Sequence, residues 1–172
     1  MAAVTQPLRD EHHELLPMVD RLRVAAQAVG KVRSDELAKL VDLALDFITR
    51  QLIPHAKAEE EVLYPVVARV MGAPEATATM TREHAEVVRL TSELASLRNR
   101  MTQAPLDEDQ SQFLQQLMYG LHAIIKVHFA KEEEVYLPLL DARLSASEAT
   151  TMFEAMEAAA RRVKASSSPG SA

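Results

Sequence analysis

Apolar residues recur at three- and four-residue spacing along most of the chain, the period of helices that bury one face. Leu8, His12, Leu15, Val19 and Leu22 form one such stripe and predict a first helix from about Thr5 to Val29. Thr5 can cap it, Pro7 is tolerated in a first turn and Gly30 ends it. Pro17 lies inside the stripe and is expected to kink the helix or remove one hydrogen bond. Leu37, Leu40, Val41, Ala44, Leu45, Ile48 and Leu52 continue through His55, Glu59, Val62 and Val66, predicting a helix from Ser34 to the break at Met71-Gly72-Ala73-Pro74. Pro54 inside it should leave the Arg50 carbonyl unpaired. Met80, His84, Val87, Thr91 and Leu94 predict a third helix over about 75–101. Phe113, Leu117, Leu121, Ile124 or Ile125, His128, Glu132, Val135 and Leu139 predict a fourth over about 108–140. Ser145 and Glu148 have the spacing of a capping box. They open a fifth amphipathic helix, about 146–163, whose Met152, Phe153, Met156, Ala159, Ala160 and Val163 should pack on the bundle or on a partner. Residues 1–163 are expected to form one domain, and residues 164–172, rich in Ser with Pro and Gly, a disordered tail.

One phrase is written twice. Residues 55–65 and 128–138 both read His-x-x-x-Glu-Glu-Glu-Val-x-x-Pro, offset by 73 positions. His12 precedes His55 by 43 residues, and His84 precedes His128 by 44. Such self-similarity marks a duplicated unit. Here the unit is a helical hairpin, so the fold class is all-α: an up-down-up-down four-helix bundle plus the C-terminal fifth helix.

On a helix, positions i and i+4 share a face. Each copy of the phrase therefore aims an imidazole and a carboxylate at one point. His12, His55, Glu59, His84, His128 and Glu132 converge from four helices, and His and Glu on facing helices are the usual materials of a metal site in a bundle. A lone histidine on an apolar stripe would read as a hydrogen-bonded core residue. Two matching His-x-x-x-Glu phrases with two further His at matching offsets read as ligands, because Glu59 and Glu132 buried without a cation would each cost several kcal/mol. His13 is turned about 100° from His12 and is expected in solvent. His122 lies off the His128 face. Glu60, Glu61, Glu133 and Glu134 are expected to be solvated, paired with cations such as Lys57 and Lys131, or bonded to the ring N–H groups of the ligand histidines.

Four imidazoles and two carboxylates are too many for one tetrahedral zinc and too nitrogen-rich for calcium or magnesium. Two six-coordinate ions fit better. The histidines fill four positions, two bridging glutamates four more and an oxo or hydroxo bridge two, leaving two for water, O2, peroxide, NO or another side chain.

Composition narrows the functional classes. The chain has 172 residues, 48% apolar and 4% aromatic, with four Gly. Few Gly suits helices. A net charge of -6 argues against a nucleic-acid partner. There is no cysteine, hence no disulfide, thiolate ligand or catalytic thiol, and a reducing compartment is expected. The first ten residues carry no apolar run of a signal peptide, and no apolar stretch is long enough to span a bilayer. A cytoplasmic protein, monomeric or homodimeric, is the expectation.

The order His12, His55-x-x-x-Glu59, His84, His128-x-x-x-Glu132, with Leu-Tyr-Pro and Tyr-Leu-Pro endings, resembles the hemerythrin-like (HHE cation-binding) domain over roughly residues 5–141. That resemblance implies a non-heme di-iron centre of two iron ions with an oxo or hydroxo bridge, and Glu59 and Glu132 as bridging carboxylates. Its oxygen-carrying members have a second His four residues on in the third helix, where this chain has Val88, and His-x-x-x-x-Asp in the fourth, where it has His128-x-x-x-Glu132. One His fewer favours redox chemistry with hydrogen peroxide or nitric oxide species, catalase- or peroxidase-like, over simple O2 carriage. Binding or sensing of O2, NO or iron without turnover is the alternative, and a purely structural metal a third. Tyr136, four residues after Glu132, is the candidate to fill the gap as a ligand or as a tyrosine behind the ligands, with a core role as its plain reading.

Overall fold

The computed structural model describes residues 3–166 and is helical nearly throughout. Helix α1 is Gln6–Ala28 and α3 is Ala78–Met101. Helix α2 covers residues 34–71, α4 residues 108–143, and α5 is Ala146–Ser166. Consecutive helices are neighbours around the bundle, and α4 closes against α1, the up-down-up-down arrangement that short connections impose. Gly30 and Gly72 end the first two helices at positive φ, 74° and 66°, where a side chain would be strained. Asp107 and Gln110 form a capping box on α4, and Ser145 and Glu148 form the expected one on α5.

Helix α5 lies over the bundle, not away from it. Ala149, Met152, Met156 and Ala159 are buried against the stretch of α2 that carries the first repeated phrase. Arg162 pairs with Glu61 across that seam. The helix runs three residues past the expected Val163, so residues 164–166 are helix, and the rest of the expected disordered tail lies outside the described residues.

The prolines act differently from expectation. Helix α1 continues through Pro17. In α2 and α4, three prolines each follow a single π turn: Ile48–Leu52 before Pro54, Glu59–Leu63 before Pro65 and Glu132–Tyr136 before Pro138. In each, the residue ahead of the proline donates its N–H one residue further back than an α-helix does: Ile53 to Ile48, Tyr64 to Glu59, Leu137 to Glu132. A prolyl ring has no N–H and crowds the carbonyl four residues back. The wider turn moves that carbonyl aside and keeps the helix continuous.

The π turns at Glu59–Leu63 and Glu132–Tyr136 each add a residue, and from there on the buried stripe slips by one position. Val62 and Val66 are only partly buried, and Leu63, Tyr64 and Val67 face the core instead. In α4, Val135 is 53% exposed while Tyr136, Leu137 and Leu140 are buried. At the start of α4, Leu114 takes the inward place expected of Phe113, which is exposed.

The core is in two parts. One runs from Leu15 and Val19 through Phe47, Leu94 and Leu121. The other gathers Leu8, Leu63, Tyr64, Met80, Leu137 and Leu140 with the buried face of α5. The only charged carboxylates among the buried described residues, Glu59 and Glu132, sit in the layer between them with four buried histidines.

Candidate metal centre

The six residues that the repeat singled out do meet. His12 comes from α1, His55 and Glu59 from α2, His84 from α3, and His128 and Glu132 from α4. All are buried, and both carboxylates are fully so. Their ligand-type atoms fall into two groups, His12, His55, Glu59 and Glu132, and Glu59, His84 and His128, with the atoms of each group within 4.8 Å of one another. Glu59 belongs to both. Glu132 reaches toward the second group as well, its Oε1 lying 3.5 Å from His128 Nε2.

Outside this cluster each histidine is fixed by a carboxylate. His12 Nδ1 donates to Glu133 at 2.9 Å, His84 Nδ1 to Glu60 at 3.0 Å and His128 Nδ1 to Glu83 at 2.9 Å. His55 Nδ1 lies 3.1 Å from Glu11 Oε1. The pattern obeys the duplication: Glu60 and Glu133 each follow a buried glutamate, and Glu11 and Glu83 each precede a buried histidine. With the proton assigned to Nδ1 by these partners, every Nε2 offers a lone pair inward. Phe129 stacks on His12 with ring centres 4.3 Å apart and holds its plane.

The inward atoms are crowded acceptors. His84 Nε2 and His128 Nε2 are 3.0 Å apart. His55 Nε2 is 3.0 Å from Glu59 Oε1, and His12 Nε2 is 3.4 Å from Glu132 Oε2. Despite this proximity His12 Nε2, His55 Nε2, both oxygens of Glu59 and Glu132 Oε2 are buried without a hydrogen-bond partner. Lone pairs facing one another in a dry interior are tolerable only with positive charge among them. The titration behaviour of the protein alone expresses the same demand. Burial works against a charged His55, yet Glu59 and Glu11 outweigh it and hold its pKa well above the usual imidazole value. Burial also opposes charge on His128, but Glu132 and Glu59 push it up to about 10. Metal ions would supply that charge in place of protons. The donor set is therefore able to bind metal, in two groups that have Glu59 in common.

The two tyrosines near the repeated phrases are placed differently. The Tyr136 hydroxyl donates to the Ala76 carbonyl at 3.0 Å, away from the cluster. The tyrosine at the centre is Tyr64. Its hydroxyl donates to Glu132 Oε1 at 3.0 Å and lies 3.2 Å from His128 Nε2 and 3.3 Å from His84 Nε2. Burial, with Glu59 and Glu132 behind it, holds its pKa well above the ordinary phenol value, so it keeps its proton. The π turn over Glu59–Leu63 brings Tyr64 inward, while in the second half the equivalent position is Leu137. The two halves are thus alike in ligands and unlike in this one hydroxyl. Glu11 and Glu83 were missed by sequence reasoning. Their signal was the Glu-His pair repeated at 11–12 and 83–84. His13 is exposed, and His122 pairs with Asp20 at 3.2 Å away from the centre, as the helical period placed them.

A comparison with protein families matches residues 3–140 to the hemerythrin HHE cation binding domain. No curated protein and no solved structure matches the chain. Among the described residues no helix is long and apolar enough to cross a membrane.

Proposed function

The chain belongs to the hemerythrin HHE cation-binding family, and on that premise we propose that it is a non-heme di-iron protein that turns over hydrogen peroxide or nitric oxide species as a catalase- or peroxidase-like oxidoreductase. The observation that carries this reading is the single protonated hydroxyl of Tyr64, set among the Nε2 atoms of His84 and His128 and the Oε1 of Glu132. A carrier of O2 needs ligands; a reactive centre also needs a proton held next to the reacting oxygen.

In this reading His12, His55, Glu59, His84, His128 and Glu132 would together hold the two iron ions. When bound, the ions supply the two-electron exchange by which two molecules of hydrogen peroxide become O2 and two of water. The chain does the rest. Glu133, Glu11, Glu60 and Glu83 fix the imidazole rings and raise their basicity. Tyr64 keeps a proton at its hydroxyl, directed at Glu132 Oε1, and is positioned to pass it to a departing oxygen. Phe129 and the apolar cores on either side keep the six side chains buried, which strengthens each of these contacts. The cytoplasm is the proposed location, and a monomer or homodimer the proposed state.

Metal analysis with stopped-flow spectroscopy of the purified protein tests this. About two irons per chain, an oxo-bridge band and O2 evolution on mixing with hydrogen peroxide are expected, with activity lost in His55→Ala and Glu132→Ala. Two irons without turnover would shift the assignment to binding or sensing of O2 or NO. One zinc, or no iron, would overturn the di-iron centre.

A further inference from the structure

A cavity of about 380 Å³ opens between α2 and α3 and ends on the candidate centre. Its floor is His55, Glu59, His84 and His128. Its walls include Leu52, Ile53, Val87, Ile125 and Phe129, with the small residues Ala56 and Ala85 on opposing helices. Size decides what such a space is for. Hydrogen peroxide, O2 and NO have two heavy atoms each, and a water molecule occupies roughly 30 Å³ of liquid, whereas a cavity of about 150 Å³ already houses benzene. The volume here falls in the range of sites for small organic ligands, apolar in the walls with a few polar groups at one end. The mouth holds one nearby cation, Lys57, and it is already paired with Glu60 at 2.6 Å, so nothing at the rim selects an anion.

We propose that this cavity is a binding site for a neutral organic molecule with an apolar body and a terminal O–H group, the body against Leu52, Val87 and Ile125 and the oxygen toward His55, Glu59, His84 and His128. Organic hydroperoxides and the corresponding alcohols share this chemistry. The assignment rests on the reading of the floor as the reactive centre, and it extends the substrate class from hydrogen peroxide to peroxides with a carbon body. Val88 lines the same cavity and adds to its apolar wall.

Calorimetric titration of iron-loaded protein with 2-phenyl-2-propanol tests the site, and titration of metal-free protein with cumene hydroperoxide, which is then not consumed, tests the peroxide. Methanol, an O–H group without a body, is the control. Saturable one-to-one binding of the alcohol, the peroxide or both is expected, and none of methanol. Ala56→Trp and Ala85→Trp fill the space from opposite walls, and each should weaken binding at least about tenfold with helical circular dichroism unchanged. Absence of saturation by either molecule, or binding as tight in both variants as in the wild type, overturns the proposal. Failure of the underlying reading shows separately: a chain that takes up no iron and still binds the alcohol keeps the cavity and loses the centre, and one that takes up iron and binds neither molecule loses the cavity alone.

Discussion

His128 donates its Nδ1 proton to Glu83 at 2.9 Å, across the seam between α4 and α3. Glu83 is held from its other side by Lys131 and, against the effect of its own burial, keeps its pKa below the usual carboxylate range. It is therefore a carboxylate at neutral pH, and its charge is spent on orienting one imidazole. Glu83→Ala frees that ring to rotate and removes the charge that raises its basicity. Iron affinity should fall by about 10- to 100-fold, the usual cost of losing such a partner. Competition with a chelator measures it, and Glu134→Ala, at an exposed glutamate in the same phrase as His128, should leave affinity unchanged.

The two tyrosines separate by function. Tyr64→Phe removes the only hydroxyl hydrogen-bonded within the cluster and keeps the ring volume. Iron content should hold, the visible spectrum of the loaded protein should shift, and peroxide turnover should slow by about 10²- to 10⁴-fold, the range for loss of a positioned proton donor. Tyr136→Phe loses only its bond to the Ala76 carbonyl, worth about 1 kcal/mol of stability, and should leave spectrum and turnover intact. Equal effects of the two substitutions would sink the role given to Tyr64.

The duplication made the ligands legible because the α-helical i, i+4 spacing holds locally from His55 to Glu59 and from His128 to Glu132, where each glutamate N–H still reaches its histidine carbonyl. The failures begin one residue later. Spacing alone treats a helix as unbroken, and the π turns at Glu59–Leu63 and Glu132–Tyr136 add a residue that no propensity announces. Val62 and Val66 in one half, and Val135 and Leu139 in the other, were read one position out of phase for that reason. A signal was present in Pro65 and Pro138, each two residues after its π turn, but those prolines read equally well as helix breaks. The phase slip is testable by truncation. Leu137→Ala, at a fully buried position, should cost about 2–5 kcal/mol, whereas Val135→Ala, which the unbroken period places inward, should stay within about 0.5 kcal/mol. Denaturant unfolding of the two variants decides which register is real.

Acid should weaken one clamp in particular. Asp141 on α4 accepts from the Thr5 N–H and hydroxyl, both at 2.9 Å, and pairs with Arg9 at 3.2 Å, tying the start of α1 to the end of α4. Partial burial raises the Asp141 pKa, but the Thr5 bonds and Arg9 outweigh it, and the value in the folded protein lies below the usual 3.8. A lowered carboxyl pKa contributes stability that is fully present above the unfolded value and is lost as pH falls through the folded one. Asp141→Asn should therefore be less stable than wild type near neutral pH, and the gap should narrow as the pH falls below about 4. A gap that stays constant over that range would mean that the charge of Asp141 contributes nothing.

Removing the metal should expose the cost of the centre directly. Glu59 and Glu132 are fully buried, and five of the inward atoms around them have no hydrogen-bond partner within the protein. Ions that bind only the folded state stabilise it by mass action, by about 4 kcal/mol when free metal exceeds its dissociation constant a thousandfold. Iron-loaded protein treated with a strong chelator should lose several degrees of Tm, and re-addition of ferrous iron should restore them. Glu59→Gln with Glu132→Gln removes both buried charges and most of the demand for cations, so the double variant should be indifferent to the chelator and at least as stable as metal-free wild type. A wild type whose Tm ignores the chelator, in protein shown to have carried iron, would mean that the paired histidines and glutamates find their compensation in protons, with the ions held too weakly to matter to the fold.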